Sequence, residues 1–406
     1  MIRHCLRLIW NRRRTNFLVT LEIFFSFLVV AAVLIMGIHS LNLYRAPLGF
    51  SIDNVLIAQI DIKNPHIRPA PDVRKATLEQ MRLVDAALRE FPEVITAARG
   101  FTGPYVRSQW IDDFELQGRR VAYGLNEVTD DYRRVFGIRL TRGRWFNAED
   151  DAATTVDPTV INERFAAAAF GDSDPVGQVI FQDVRRDGTR PPERRVIGVV
   201  DEFRQMGDFA VPGNYAFVRH NPARADGDAP TAMFIRVRPG TTVEFEERLA
   251  RRLQDVARGW SFEIRPLDDL RAETFRDALA PLGAAAIVAA FLLLMVGLGL
   301  TGVMWQTVTQ RTREIGLRRA NGAPAHRIRS QIMLELSLMT SLAVLAGIVV
   351  IVQVPLLELI GGVGGAAYGA GLAISAAAIY LLTILCGWYP SHLASRIQPA
   401  DALRYE

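Results

Sequence analysis

Cysteine is nearly absent from this 406-residue chain, which has only Cys5 and Cys386. The long segment 41–281 contains none, so no disulfide can hold it together and its stability must come from packing. Lysine is equally scarce, with Lys63 and Lys75 as the two examples. Neither follows a glycine, and a nucleotide-binding P-loop requires Gly-Lys. This chain therefore contains no P-loop.

Catalytic and metal-binding patterns are missing as well. The six histidines form no HExxH, and no CxxC is present. Two acidic groups, Asp112-Asp113 and Glu149-Asp150-Asp151, are interpreted as exposed turn acids. The second group also lacks the central glycine that a calcium loop needs. The sequence predicts no catalytic, cofactor-binding or metal site, and a protein that is not itself an enzyme.

Charge is almost absent from four long runs, which are predicted to be transmembrane helices because each is about the 20 residues needed to cross a bilayer. Their bounds are 17–40, 282–305, 332–357 and 369–389. The first run is too long for the apolar region of a secretory signal and is followed by a poor cleavage site, so it is predicted to be an uncleaved anchor. Glu335 lies near one end of the third run. It is predicted to snorkel or pair with an arginine rather than to relay protons.

Arginine is concentrated in three short pieces of the chain. Residues 1–16 contain five arginines and no acid, residues 306–331 contain six against one glutamate, and residues 390–406 add two more. The connection 358–368 contains neither lysine nor arginine. The positive-inside rule therefore predicts that both termini and 306–331 are cytoplasmic, and that 41–281 and 358–368 are exported. The net charge of +4 follows from this topology and does not indicate nucleic-acid binding.

The exported segment is predicted to be an α/β domain. Near its start, residues 54–61 alternate like a strand and 72–91 have helical spacing. The same pattern recurs near its end, with strands at 233–237 and 260–265 on either side of a helix at 242–258. This repetition predicts a discontinuous lobe, 51–103 plus 230–267, with a β-rich lobe, 104–229, inserted between its halves.

The stretch "QRTREIGLRRANGAPAHRIR", residues 310–329, is predicted to contain a short amphipathic helix at the cytoplasmic face. Gly316, Leu317 and Ala320 are expected to share a small apolar edge, with Glu314 and the following arginines on the other sides. Gly322 is expected to end the helix and Pro324 to start the next one. The simpler interpretation is that the arginines only anchor the topology.

The same stretch, continued as "SQIMLELSLMTSLAVLAG", resembles the signature of MacB/FtsX-type ABC transporter permeases. "RLTRGRWFNAEDDAATTVDPTVINERFAAAAFGDSDPVGQVI", with "RRVIGVV" after it, resembles the MacB-type periplasmic core domain, and "PSHLASRIQPADALR" resembles the family's C-terminal ending. The resemblance implies one plus three membrane helices around a periplasmic α/β domain, in the bacterial inner membrane. MacB itself carries an ATPase domain, so this chain is more similar to the stand-alone permeases. Asn321 departs from the family, which usually has an apolar residue there.

This resemblance implies that the cytoplasmic helix docks in a groove of a separate ATPase subunit and carries its motion into the membrane. The residues implied in this coupling segment are Arg313, Glu314, Ile315, Gly316, Leu317, Arg318, Arg319, Ala320 and Gly322. ATP and magnesium would then bind the partner, with no cofactor on this chain. The implied assembly has two ATPase subunits and a second permease, identical or paralogous. A periplasmic adaptor and an outer-membrane channel are implied in some members.

The expected function is export of a periplasmic or membrane-embedded substrate, driven by motion of the periplasmic domain. An FtsX-like signal transducer that regulates a periplasmic hydrolase or sensor, and a lipoprotein-releasing permease, are the alternatives. Gly297, Gly299 and Gly347 are predicted to let membrane helices approach closely, because small residues favour such packing.

Overall fold

The computed structural model describes residues 13–62, 71–116, 119–152, 156–180, 193–220, 230, 232–357 and 361–394. It divides the chain into two compact units, one formed by Leu43–Asp277 and the other by the chain on either side of that segment. The outer parts of both predicted tails, with Cys5 and the arginines at 3, 7, 12, 396 and 404, lie outside the described residues.

The helices of the described residues are, in chain order, α1 (Arg13–Arg45), α2 (Pro71–Leu88), α3 (Tyr132–Phe136), α4 (Glu163–Phe170), α5 (Val243–Val256), α6 (Leu267–Gln310), α7 (Thr312–Ala320), α8 (Ala325–Leu356) and α9 (Gly365–Ala394). The strands are β1 (Val55–Ile62), β2 (Val94–Gly100), β3 (Trp110–Leu116), β4 (Arg119–Val128), β5 (Leu140–Gly143), β6 (Val156–Asn162), β7 (Val179–Ile180), β8 (Glu193–Val200), β9 (Tyr215–Arg219), β10 (Ala232–Val237) and β11 (Trp260–Pro266).

Four helices in the described part of the chain are long and apolar enough to span a membrane: Phe17–Arg45 of α1, and the whole of α6, α8 and α9. They contain the four apolar runs, apart from Leu357 at the end of the third, and extend beyond them; α6, for example, begins at Leu267 rather than near residue 282. Hydrogen bonding continues along a helix beyond its apolar residues. The positions of charged residues therefore predict the limits of the membrane span better than they predict the ends of the helix. The helices share an apolar core that includes Ile23, Phe27, Val296, Leu300, Leu336, Val344 and Ile379.

The segment Leu43–Asp277 forms a mixed α/β unit around one sheet. The strand order is β11-β1-β10-β2-β4-β9-β6-β8-β5, with β3 paired to β4 and β7 paired to β8. Strands from both ends of the segment therefore lie side by side, and the middle strands continue the same sheet. The predicted fold class, four membrane helices plus an α/β domain assembled from both ends with a β-rich insertion, is confirmed.

Helices α2 and α5 cover the part of the sheet that is built from both ends of the segment. In α5, Phe245, Leu249 and Leu253 recur every four residues, so they lie on one face of the helix, and all are buried. They pack with Met81 and Val84 of α2 against the sheet. The acidic side chains in the first turn of α5 interact favourably with the positive end of the helix dipole.

A second core joins the two parts of the sheet. Phe234 of β10 lies 5.7 Å from the ring of Tyr132 and 5.1 Å from that of Phe136, both in α3. Tyr132 in turn lies 5.9 Å from Phe217 of β9. These rings are fully buried. Because α3 contacts strands of both parts, the insertion and the discontinuous lobe share one core.

Asn162 ends β6 and caps α4, and it is fully buried. Its Oδ1 accepts hydrogen bonds from the backbone N–H groups of Phe165 and Tyr215, each at 3.0 Å. Its Nδ2 donates to the carbonyl oxygen of Gly213 at 2.8 Å and to Glu202 at 3.1 Å. One side chain therefore satisfies backbone groups in a strand, a helix and a loop.

We expect Asn162→Ala to lower the free energy of unfolding by about 2 kcal/mol, because it removes a helix cap and leaves buried backbone groups without partners. Thermal unfolding of the full chain in detergent, followed by tryptophan fluorescence, measures this change. The control is Asn214→Ala, which loses a single exposed hydrogen bond to Ala122 and should shift the transition little. Equal shifts for the two variants would contradict the structural role of Asn162.

Candidate functional site

The stretch predicted to be cytoplasmic and functional contains helix α7, which lies between two membrane helices. Gly322 follows it with φ of +83°, a left-handed conformation that glycine adopts without strain. The N–H of Ala323 then donates to the carbonyl oxygen of Arg318 at 3.0 Å, which closes the end of the helix. Pro324 precedes the first residue of α8. A short, separately terminated helix is the result.

The inward face of α7 is formed by Ile315 and Gly316, both of which are buried. Ile315 packs into the core of the membrane unit with Ile328 and Ile332 of α8. The predicted apolar edge is wrong in part: Gly316 is buried, but Leu317 is 56% exposed and Ala320 is exposed as well. Ile315 fixes the rotation of the helix, and Leu317, two residues on and about 200° around the axis, must point away.

A chain of ionic hydrogen bonds ties α7 to its neighbours. Arg311, between α6 and α7, places Nη1 at 2.9 and 3.1 Å from the carboxylate oxygens of Glu335. Gln331 donates to the same carboxylate at 3.4 Å and accepts from Arg318 at 2.8 Å. Arg318 also donates to Glu314 at 2.6 Å. The chain runs from an exposed carboxylate to a buried one.

The Arg311–Glu335 pair is buried, with 14% and 10% of the two side chains exposed. Of the two predictions for Glu335, pairing with an arginine is therefore confirmed. Arg311 lies in the predicted cytoplasmic stretch but was not among the predicted coupling residues, although it is the residue that makes this pair. A signal was available, since Glu335 is the one acid in an otherwise uncharged run and needs a cation near the same end of the membrane.

The outward face of α7 is polar at its edges and apolar in the middle. Arg313, Leu317 and Ala320 are exposed at i, i+4 and i+7, so they lie along one side of the helix. Glu314 is half exposed beside them and is paired with Arg318. An exposed leucine flanked by charges offers a contact surface of the kind that a partner's groove can take.

The three glycines predicted for close helix packing lie at helix–helix contacts within the membrane unit. A Cβ added to Gly347 of α8 would lie 2.4 Å from the ring of Phe27 in α1, and one on Gly299 of α6 would lie 2.7 Å from the carboxylate of Glu22. A Cβ on Gly297 would be 3.5 Å from Cys386, an ordinary contact. Gly347 is thus the position with the least room for a larger side chain.

The acidic groups in the exported domain were predicted to be exposed turn acids, and this is wrong for three of them. Asp112 and Asp113 lie in strand β3. Asp150 is buried and accepts two hydrogen bonds from Arg144, at 2.6 and 2.8 Å. Burial alone would raise the pKa of Asp150, but the hydrogen bonds from Arg144 and from the N–H of Asn147 hold it below its usual value. Within the described ranges, no cluster of His, Cys, Asp or Glu could hold a metal ion.

We expect Arg311→Met to lower the free energy of unfolding by about 3–5 kcal/mol, since it leaves the buried carboxylate of Glu335 without a counter-charge. Adding Glu335→Met should recover most of the loss. Arg318→Met removes the half-exposed pair with Glu314 and one hydrogen bond to Gln331, and should cost only about 1 kcal/mol. Thermal unfolding of the full chains in detergent compares the three. A double variant as unstable as Arg311→Met alone would show that the charge balance is not the cause.

Two family models match the chain. A MacB-like periplasmic core domain covers residues 17–252, and an FtsX-like permease C-terminal domain covers residues 286–399.

Three of the curated relatives that align with this chain span it to different extents. The ABC transporter permease YvrN of Bacillus subtilis is 32% identical over 69% of this chain and 69% of its own length. The macrolide export ATP-binding/permease protein MacB of Bordetella avium is 27% identical over 69% of this chain and 42% of its own length. The pyoverdine export ATP-binding/permease protein PvdT of Pseudomonas syringae pv. syringae is 27% identical over 100% of this chain and 59% of its own length. This chain thus spans about half of the two ATP-binding/permease proteins. Because one family model covers more than half of the chain, the chain belongs to the MacB/FtsX-type family of ABC transporter permeases.

Proposed function

We propose that this chain is a permease subunit that transmits ATP hydrolysis on a separate ATPase subunit to its own extracytoplasmic domain. The observation that carries the proposal is helix α7, which is tied inward to α6 and α8 and leaves one face, with Leu317 56% exposed, free for a partner. A docked subunit that pushes on α7 would move α8 through the ionic chain, and α6 through Arg311, which directly follows its last residue. This motion is the conformational change by which the permease responds to ATP hydrolysis on its partner.

The chemistry of this chain fits a subunit that does not hydrolyse ATP. It has no Gly-Lys sequence and hence no P-loop, so ATP and magnesium belong on the partner. We propose two copies of that ATPase, paired with two permeases, in the bacterial inner membrane.

Export is the proposed direction of transport. Two relatives carry the word export in their names, one for macrolides and one for pyoverdine, and these names describe those proteins. For this chain the proposed substrate is one taken from the membrane or from the extracytoplasmic side. A periplasmic adaptor with an outer-membrane channel would complete the path out of the cell.

The proposal requires α7 to be cytoplasmic and the domain Leu43–Asp277 to be exported. In a background without the native cysteines, Arg120→Cys should react with a membrane-impermeant maleimide in intact spheroplasts, because the Arg120 side chain is 75% exposed. Ala323→Cys should react only after lysis, since the positive-inside rule places it in the cytoplasm. The opposite pattern of labelling would overturn the proposed orientation.

We expect Leu317→Glu to weaken binding of the ATPase subunit by about 30-fold or more, because it places a charge in the centre of the proposed contact. The measurement is the amount of ATPase that co-purifies with the full-length permease from its native host. Leu317→Met keeps an apolar side chain of similar volume and should retain the ATPase. Gly316→Leu is a poorer test, since Gly316 is buried and the variant would disturb the packing of α7 itself.

If Leu317→Glu inserts normally and still co-purifies with stoichiometric ATPase, the docking proposal is wrong. The arginines of α7 would then serve only to fix the topology of the chain.

A further inference from the structure

The sheet of the exported domain opens beside β2. This strand pairs with β10 along its length, from Val94 to Gly100. On its other side it pairs with β4 through one residue pair, Gly100 with Val128. From Arg99 back toward Val94, β2 therefore has an edge that no described strand covers, although it is not at the end of the sheet.

Backbone groups of β2 point into this opening. The N–H of Arg99 donates to the Oγ1 of Thr129 at 2.9 Å, and its carbonyl oxygen accepts from the N–H of Thr129 at 3.0 Å. Both groups thus face away from β10. In a strand, the backbone groups of every second residue point to the same side. The N–H and carbonyl of Ala97 therefore point to the same side as those of Arg99. No described residue forms a hydrogen bond with them on that side.

The pairing of β2 with β10 is irregular between Thr96 and Val94, at the outer end of the open edge. Arg236 pairs with Thr96 and Val237 pairs with Val94, so Ile95 is an extra residue that has no partner in β10. Its side chain is 56% exposed. An apolar side chain therefore stands next to the open backbone groups.

The opening is the floor of a cleft of about 820 Å³. Helix α2 contributes one wall, including Leu78 and Met81, and the end of β9 with the start of α3 contributes residues to another, including Arg219 and Arg134. An open edge of this kind can pair with one added strand. A strand of about six residues, about 20 Å long, is the usual size of such an addition.

The cleft is lined by more basic than acidic side chains, and the exposed arginines lie at its rim. Six arginines and three aspartates line it. The deeper arginines are already neutralised, since Arg99 pairs with Asp85 at 2.7 Å and Arg219 with Asp130 at 2.7 Å. At the rim, Arg82 of α2 and Arg134 of α3 form exposed pairs with Glu79 and Asp131, at 3.6 and 3.2 Å, and the exposed Arg89 directly follows α2. Such exposed pairs are weak, so other carboxylates can compete for these arginines. A small anion would need the deep arginines, which are occupied, whereas acidic side chains of an extended chain can reach the rim.

We propose that the open edge of β2 is a docking site for an extended segment of another polypeptide that carries acidic side chains. The segment adds to β2 as a strand, with its backbone paired to Ala97. Its acidic side chains pair with the rim arginines, and an apolar side chain packs on Ile95. Backbone pairing supplies affinity in such additions and the side chains supply selectivity.

The test uses the full chain in detergent and a phage-displayed library of random peptides about ten residues long. Selected peptides should be rich in Asp and Glu. Synthetic versions should bind, and methylation of alternate backbone nitrogens should weaken binding about fivefold or more, because it removes the hydrogen bond to the carbonyl oxygen of Ala97. Hydrogen exchange at Ala97 should slow when the peptide is bound.

Two charge-reversal variants separate the cleft from the rest of the surface. Arg89→Glu combined with Arg134→Glu should weaken binding about tenfold or more. Arg251→Glu, on the exposed side of α5, should leave binding unchanged, and all chains should unfold at the same temperature. Selected peptides without acidic enrichment, equal binding of methylated peptides, or full competition by inorganic phosphate would each overturn the proposal.

Discussion

The buried contact between Arg311 and Glu335 is the interaction on which the α7 end of the membrane unit depends. A carboxylate in the apolar end of α8 is costly unless a cation meets it, and the guanidinium that does so follows the last residue of α6. Satisfying this one charge fixes where α6 ends and where α7 begins. The rotation of α7 is then set by Ile315, which is turned inward into the core and leaves Leu317 outward.

Much of the architecture could be predicted because its causes are local. Uncharged runs predicted the four membrane helices, and alternation near residues 54–61 and 233–237 predicted β1 and β10. Gly322 and Pro324 predicted the limits of α7 through backbone conformations that each residue type favours.

The features that escaped prediction depend on residues far apart in the chain. Arg311 could not be distinguished from its neighbours until α8 brought Glu335 beside it. Asp150 is an exception at shorter range: it looked like a turn acid, and Arg144, six residues earlier, pairs with it only once that segment has folded. The opening beside β2 depends on where β4 leaves the sheet, and strand register of that kind is set by packing rather than by the pattern of one strand.

The pairing of β1 also constrains how the protein is made. This strand is mostly buried, and both of its neighbours, β10 and β11, come from the far end of the exported segment. At synthesis rates of about 5–20 residues per second, β1 waits roughly 10–30 s before either neighbour exists. During that time an apolar strand has two open edges, the kind of surface that aggregates. Export of this domain therefore creates a demand for chaperones on the far side of the membrane, and contacts so distant in sequence predict slow folding once the chain is complete.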